Sequence, residues 1–269
     1  MDSQELLHRY AAGERDFKDV NLVHVDLHQA NLCQADFTRA NLSEANLSGA
    51  NLGGAKLQQS LLTSVNLSGA ILISANLTEA GLEKANLSEA NLLNAILKDA
   101  DLNESNLSGA NLNHASLICA SLVAAKFIEA FLGKTNLDGA NLTHAILTKA
   151  NLEGTNLTNA ILSGANLSYA NLKSVNLSMA KLIGANLTEA NLSKGNLRGT
   201  NLNWAILKRA NLQQATLYRA KLNWANLTAA LLNEAILLDA NLIGANLRDV
   251  NFEGAQLNGT IMPDGQVHS

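Results

Sequence analysis

The chain has 269 residues and a net charge of −4, and 47% of its residues are apolar although only 4% are aromatic. This balance predicts neither a nucleic-acid binder nor a strongly acidic mimic of nucleic acid. Most of the apolar mass is Leu and Ala, and there is one proline, which is typical of a repetitive core rather than of a mixed globular one.

The first segment, "SQELLHRYAAG" (Ser3 to Gly13), predicts a short amphipathic helix with Leu6, Leu7 and Tyr10 on one side. Gly13 is expected to end it. An open stack of strands exposes unpaired edges, so we expect residues 1–14 to form an N-terminal helical cap on such a stack.

The same segment bears on location. The start of the chain carries acidic residues among its first five and lacks the apolar stretch of a secretory signal, and no apolar run reaches the roughly 18 residues that span a bilayer. The two cysteines, Cys33 and Cys119, suit a reducing compartment. We therefore expect a cytoplasmic protein that does not enter a membrane.

A large apolar residue then returns at every fifth position from Phe17 to Met262. These 50 centres comprise 45 Leu, four Phe and one Met, and 37 of the residues two positions earlier are Ala. A period of five fits neither an α-helix nor a simple strand. Residues two apart in an extended segment face the same side, so the small residue and the centre both point inward. The other three face outward or form a bend, where Gly49 and Gly54 occupy the last place.

A chain that bends at every fifth residue closes on itself and stacks, which predicts a solenoid of the β-helix kind. Spacing alone leaves the number of sides open. The stretch "ANLSEANLSGANLGGA" (Ala40 to Ala55) resembles the pentapeptide-repeat family. That resemblance implies an all-β fold, a right-handed four-sided (quadrilateral) parallel β-helix with about 20 residues per coil.

The resemblance covers residues 15–264, or about 12.5 coils and a rod about 60 Å long at the usual strand spacing. Pro263 cannot donate to a ladder of backbone hydrogen bonds, so residues 265–269 are expected to form a C-terminal tail. Both "LLHRYAAGERDF" and "IMPDGQVHS" are similar to cyanobacterial members of the family, including the type associated with heterocyst differentiation.

No motif in the chain indicates catalysis. The glycines follow the five-residue period and form no phosphate-binding loop, and the "NLS" and "NLT" triplets are generated by the repeat itself. His24 and His28 flank a predicted bend, whereas His114 and His144 lie on different sides, so no four-ligand metal site is expected. Cys33 and Cys119 lie more than four coils apart, too far for a disulfide. We expect no enzymatic activity, no cofactor and no metal.

The local charge pattern is more informative than the total. Residues 190–233 contain no Asp or Glu but six cations. Trp204 and Trp224, the only tryptophans, lie 20 residues apart, so a 20-residue coil would stack them on adjacent coils, facing outward. Aromatic and cationic side chains together are typical of binding hot spots. The predicted partner-binding residues are Trp204, Trp224, Lys208, Arg209, Tyr218, Arg219, Arg198 and Lys221.

This pattern leaves two interpretations open: a protein-binding patch, or a neutral aromatic ladder among solvated cations. Nucleic acid is the less favoured partner, because six cations in a net-negative chain are few. A second group of outward apolar residues, Ile71, Ile73, Leu93 and Phe131, predicts either an exposed strip for association or local stacking. The sequence predicts no oligomeric state.

The pattern as a whole predicts a non-enzymatic scaffold for protein–protein interaction, with a regulatory role in a cyanobacterial developmental or signalling pathway implied by the resemblance. The alternative is a DNA mimic that protects a type II topoisomerase, as some members of the family are. Against it, the column His24, Glu44, Ser64, Lys84, Glu104 at 20-residue spacing is not continuously acidic.

Overall fold

The computed structural model describes residues 1–269, which form two compact units, Met1–Asn136 and Leu137–Ser269. Its one helix, α1, spans Ser3–Ala11. No helix has the length and apolar character needed to cross a membrane. The β-structure consists of isolated single-residue bridges rather than of longer strands.

Helix α1 begins where Asp2 accepts a hydrogen bond from the backbone of Glu5, an N-cap that satisfies one of the free amides of the first turn. Leu6 is fully buried, and the Tyr10 hydroxyl donates to the Cys33 carbonyl at 2.8 Å. Leu7, expected on the same side as Leu6, is 38% exposed. Successive residues of an α-helix are rotated by about 100°, and Leu6 takes the inward direction.

The unit Met1–Asn136 is a stack of coils in which each bridge is parallel and joins residues 20 apart. One coil is described by four bridges: Asn21 to Asn41, Asp26 to Asn46, Asn31 to Asn51 and Asp36 to Lys56. The series runs from Asp16–Asp36 to Ser116–Asn136. Four bridged positions in each 20 residues give the coil four sides.

The unit Leu137–Ser269 repeats this arrangement from Asn141–Ile161 to Asn241–Ile261. Its chain then reverses, and Val267 pairs antiparallel with Ile261. The Met262 amide donates to the Gln266 carbonyl at 2.8 Å, and the His268 amide to the Thr260 carbonyl at 2.8 Å. The residues after Pro263 therefore form a short hairpin on the last coil.

Each side ends in a turn closed by a backbone hydrogen bond, such as that from the Ala45 amide to the Leu42 carbonyl at 3.1 Å. The second turn residue has a positive φ at every fifth position from Asp19 to Gly259, and 37 of these residues are not glycine. Positive φ at this place is what a type II turn requires. We call the two turn residues after each centre a corner.

The core of both units consists of the centres and the small residues two positions before them, as the period predicts. Most of them are at most 1% exposed. The half-buried exceptions lie near the two ends of the chain, with Val20, Val25 and Ala30 in the first coil and Leu247, Phe252 and Leu257 in the last. Where a hydroxyl replaces Ala, it donates to a nearby carbonyl. The Ser60 hydroxyl bonds Leu57 at 2.7 Å and the Thr200 hydroxyl bonds Leu177 at 2.8 Å, so neither is left unpaired.

The Asn that precedes most centres supports the corner from outside. Its Oδ1 accepts the amide two residues later, as Asn41 does from Ser43 at 3.1 Å, which is an Asx turn. Its Nδ2 donates to the Asn one coil earlier, as from Asn86 to Asn66 and from Asn66 to Asn46, both at 3.2 Å. The repeated Asn thus ties each coil to its neighbour.

Candidate interaction surface

The predicted binding residues lie together in the unit Leu137–Ser269. Arg198, Tyr218 and Arg219 occupy one corner column, Trp204 and Trp224 the next, and Lys208 and Arg209 the one after it. Lys221 lies on the flat side between the first two columns. These eight residues, called here the tryptophan surface, are Arg198, Trp204, Lys208, Arg209, Tyr218, Arg219, Lys221 and Trp224.

Trp204 and Trp224 stack on each other across adjacent coils. Their ring centroids are 5.5 Å apart and the ring planes differ by 12°. Their exposed fractions remain high, at 60% and 54%. Both stand at the second turn residue, with φ of 61° and 59°, which directs the indoles out of the coil. The fold thus exposes two large apolar side chains to solvent, and the exposure of large apolar patches is unusual in a soluble protein.

Corner side chains lean toward the following coil. Wherever a corner glycine follows a longer side chain one coil earlier within one unit, that side chain lies within 4 Å of the place of its missing Cβ. A Cβ at Gly244, for example, would lie 2.4 Å from the Trp224 ring. The same holds for the pairs Gln29–Gly49, Gln34–Gly54, Glu89–Gly109, His144–Gly164, Met179–Gly199, Glu234–Gly254 and Asp239–Gly259.

Tyr218 lies between two arginines. The Arg198 guanidinium carbon is 4.5 Å from the centre of the tyrosine ring, and that of Arg219 is 4.9 Å away. Both distances are within the range of cation–π attraction. Met179 and Lys221 join these three residues in lining an open groove of about 360 Å³. Gly199, which carries no side chain, leaves room for the Met179 sulfur, which lies 2.6 Å from the place of its missing Cβ.

The acid-free stretch of sequence is not free of carboxylates in space. Glu189 lies 3.4 Å from Arg209, and Asp239 lies 3.4 Å from Arg219. Each carboxylate lies 20 residues from its arginine, just outside residues 190–233. Sequence counting therefore overstates the positive charge of the surface. Arg198, Lys208 and Lys221 are exposed, and none forms an ion pair.

The groups of the tryptophan surface are those typical of a contact surface. It offers exposed rings and cations, and no nucleophile stands beside a base within it. No group of three or more His, Cys, Asp or Glu side chains is placed to hold a metal ion. Both cysteines are free thiols, and Cys33 donates to the Gly53 carbonyl at 3.1 Å.

The second apolar group does not form a continuous strip. Phe131 and Ile71 share a column and are 49% and 40% exposed, whereas Ile73 and Leu93 are half-buried in the neighbouring column. Between Ile71 and Phe131 the column holds two asparagines that hydrogen-bond to each other at 3.2 Å. The polar interruption weakens the case for association through this side.

Several residues of this region were missed by the sequence reasoning. Met179 and Gly199 shape the groove, and Glu189 and Asp239 neutralise two arginines. All four lie in columns that appear when the sequence is written in rows of 20. The signal was therefore present, but reading it requires the coil length and the direction in which corner side chains lean.

Comparison with protein families places the repeats in a known group. The family model described as pentapeptide repeats (8 copies) matches nearly the whole repeat region. The matched residues are 16–54, 50–88, 82–117, 95–133, 120–159, 150–188, 185–223, 196–234 and 225–262. A comparison with curated proteins gave no match.

Solved structures similar to the chain include HetL from the cyanobacterium Nostoc sp. strain PCC 7120, a pentapeptide repeat protein involved in heterocyst differentiation regulation. It is 36% identical over 100% of both chains, with a TM-score of 0.37. QnrB1, a plasmid-mediated fluoroquinolone resistance protein, is 17% identical over 65% of this chain and 90% of its own, with a TM-score of 0.36. A pentapeptide repeat protein from the cyanobacterium Cyanothece 51142 is 41% identical over 38% of this chain and 63% of its own, with a TM-score of 0.16.

Proposed function

Because the chain belongs to the pentapeptide-repeat family, we propose that it is a non-enzymatic scaffold that presents the tryptophan surface to a protein partner. We take its coils to wind in the right-handed sense that this family implies. The cytoplasmic location expected from the sequence stays a prediction, and fractionation of cells that express the chain tests it.

The observation that carries the proposal is the exposed Trp204–Trp224 pair. The two stacked indoles are each more than half exposed, so they are not part of the hydrophobic core. Tryptophan and arginine are the residue types that contribute most often to binding energy at protein interfaces. Here both occur on adjoining corners, with the groove beside Tyr218 adding concave surface.

Similarity to HetL supports a regulatory role for such a scaffold. HetL is 36% identical to this chain along its whole length and is involved in heterocyst differentiation regulation. We propose that this chain likewise acts in a cyanobacterial developmental or signalling pathway. Fold alone does not determine function, so the proposal rests on the surface as well as on the similarity.

The topoisomerase-protecting alternative is less well supported by the charge distribution. Three acidic corner residues of the first unit each lie beside a basic side chain one coil away rather than in a phosphate-like series. Arg39 bonds Asp19 at 2.7 Å, Lys84 approaches Glu104 at 4.0 Å, and His24 approaches Glu44 at 3.5 Å. QnrB1 is 17% identical to this chain, so its activity is not transferred to the chain.

Affinity capture from a lysate of the organism that encodes the chain tests the proposal. The variant Trp204→Ala, Trp224→Ala removes both indoles, and Ala already occupies the equivalent place at Ala124 and Ala229 with positive φ. The variant Ile71→Ala, Phe131→Ala removes exposed apolar surface elsewhere and is the matched control. We expect a protein captured by the wild type and the control to fall at least about tenfold in the tryptophan variant. Equal capture by all three forms would refute the proposal.

A further inference from the structure

The leaning of corner side chains leaves one ring face of Trp204 uncovered. Each corner side chain covers the corner one coil later, and Trp204 in this way covers Trp224. The residue that would cover Trp204 is Gly184, which has no side chain. Gly184 is itself uncovered, because the corner before it is Gly164. No atom lies within 4 Å of the place where a Cβ at Gly184 would stand.

The resulting gap has defined boundaries within the unit Leu137–Ser269. On one side is the free face of Trp204, and on the other the His144 ring, which reaches within 2.6 Å of the Cβ place at Gly164. Ile183 and Ile206, each 41% exposed, lie at its rim. Stacked aromatic rings have centroids about 4.5–7 Å apart, close to the ~4.8 Å spacing of coils, so the gap has room for a planar ring stacked on the free face of Trp204.

Three lysines without an ion-pair partner lie around the gap. Lys181 precedes Gly184 on the flat side, Lys221 stands in the same column two coils later, and Lys208 lies at the following corner. All three are exposed, and no carboxylate lies within 4.0 Å of any of their amines. The arrangement complements an aromatic ring flanked by negative charges.

We propose that the gap over Gly184 takes one aromatic side chain from an acidic segment of the protein partner, stacked on the free face of Trp204. The proposal rests on the proposed function and adds the chemistry of the partner to it. The incoming ring takes the place of the side chain that Gly184 lacks, and the neighbouring carboxylates approach Lys181, Lys208 and Lys221.

A nucleobase with its phosphates is the less suitable occupant. Glu189, on the same coil as Gly184, lies at the next corner, and its carboxylate pairs with Arg209. A phosphate backbone passing this corner would meet that charge, whereas a peptide can place its acidic residues beside Lys181 and Lys221, on the other side of the gap.

The two indole N–H signals in an NMR spectrum of the full chain, assigned with Trp204→Phe and Trp224→Phe, report directly on the gap. The probes are a capped pentapeptide with a central phenylalanine between acidic pairs, the same peptide with a central alanine, a phenylalanine peptide with lysine pairs, and a five-nucleotide oligothymidylate. The key variant is Gly184→Tyr, which fills the gap from within. Tyr169 shows that a corner at φ of 61° accepts this residue.

The matched control is Gly69→Tyr. Gly69 is the other corner glycine that follows a glycine one coil earlier, and no atom lies within 4 Å of its Cβ place either. It therefore carries the same backbone strain, at φ of 63° against 65° for Gly184, and the same added ring. A loss of binding in Gly184→Tyr alone cannot come from the strain of the substitution.

We expect the acidic phenylalanine peptide to shift the Trp204 signal in the wild type and in Gly69→Tyr, and to bind Gly184→Tyr at least about fivefold more weakly than the wild type. The alanine peptide and the lysine peptide should bind the wild type at least about fivefold more weakly than the acidic phenylalanine peptide does. Absence of a shift at millimolar peptide, equal binding to Gly184→Tyr, or tighter binding of the oligothymidylate would overturn the inference. The scaffold proposal fails separately, when the tryptophan variant still captures every protein that the wild type captures.

Discussion

At the scale of single residues, the corner conformation is imposed by the repeat rather than by the residue. A left-handed conformation costs a non-glycine residue about 1–2 kcal/mol, yet Trp204 and 36 other non-glycine residues adopt it. The corner is held by hydrogen bonds to the next coil, such as that from the Trp204 amide to the Asn223 carbonyl at 2.9 Å. Because the backbone is fixed in this way, the outward side chain is free to vary, and a binding surface can be built there.

One charged residue is held unusually deep in the first unit. The Asp36 side chain is 11% exposed and accepts hydrogen bonds from the Thr38 hydroxyl at 2.6 Å and from Lys56 at 3.3 Å, with Lys18 at 3.6 Å. Burial alone would raise the pKa of Asp36, but the hydrogen bonds from Thr38 and Lys56 and the charge of Lys18 outweigh it. The pKa of Asp36 is therefore lowered.

A lowered folded-state pKa makes the contribution of Asp36 depend on acid. Its stabilisation is present above the ordinary aspartate pKa of about 3.9 and is lost as the pH falls through the lower folded value. In Asp36→Asn, the melting temperature at pH 7 should be lower, and its further fall between about pH 5 and pH 2 should be smaller than in the wild type. Circular dichroism melts measure both. An equal acid-dependent fall in the two proteins would show that Asp36 carries no such linkage.

At the scale of elements, α1 packs on the beginning of the first coils with one leucine buried and the neighbouring leucine exposed. Leu6 is fully buried, and Leu7 beside it in sequence is 38% exposed. Arg9 lies 5.8 Å from the centre of the Phe17 ring, and Tyr10 bonds the Cys33 carbonyl, so the helix is attached by several contacts. We propose that it acts as the cap expected from the sequence, covering coil edges that would otherwise be open to pairing with another chain.

Leu6→Ala and Leu7→Ala form a matched pair that tests this cap. Removing the buried Leu6 side chain should destabilise the protein by about 2–4 kcal/mol, because the methyl groups are lost and a cavity remains. Removing the exposed Leu7 side chain should change stability by no more than about 0.5 kcal/mol. Denaturant melts followed by circular dichroism give the comparison, and similar losses in the two variants would contradict the observed burial.

Most features of the coils could be predicted from the sequence because the period of five is unbroken. The inward pair, the bends and the glycine places are all consequences of residues two apart sharing a side. The exposure of Leu7 could not be predicted because a nine-residue helix with adjacent leucines does not define its buried side. The pairing of Arg209 with Glu189 and of Arg219 with Asp239 needed the coil length. The gap over Gly184 needed the lean of the corner side chains, which no local pattern encodes.

At the scale of the whole molecule, the two units have cores of the same residue types and differ in their surfaces. Leu and Ala fill both cores, so the interior carries no information that distinguishes one unit from the other. The exteriors diverge, since the exposed tryptophan pair and the acid-free stretch belong to the unit Leu137–Ser269. Specific recognition therefore has to reside in the outward columns.

The most direct test of the central claim is photo-crosslinking in living cells from two equivalent positions. A photoreactive phenylalanine analogue replaces Lys221, on the flat side between Tyr218 and Trp224, or Leu61, in the same column of the first unit and 52% exposed. The account predicts a crosslinked protein partner from position 221 that disappears with Trp204→Ala, Trp224→Ala, and none from position 61. A partner crosslinked from position 61 but not from 221 would place recognition elsewhere and contradict the account.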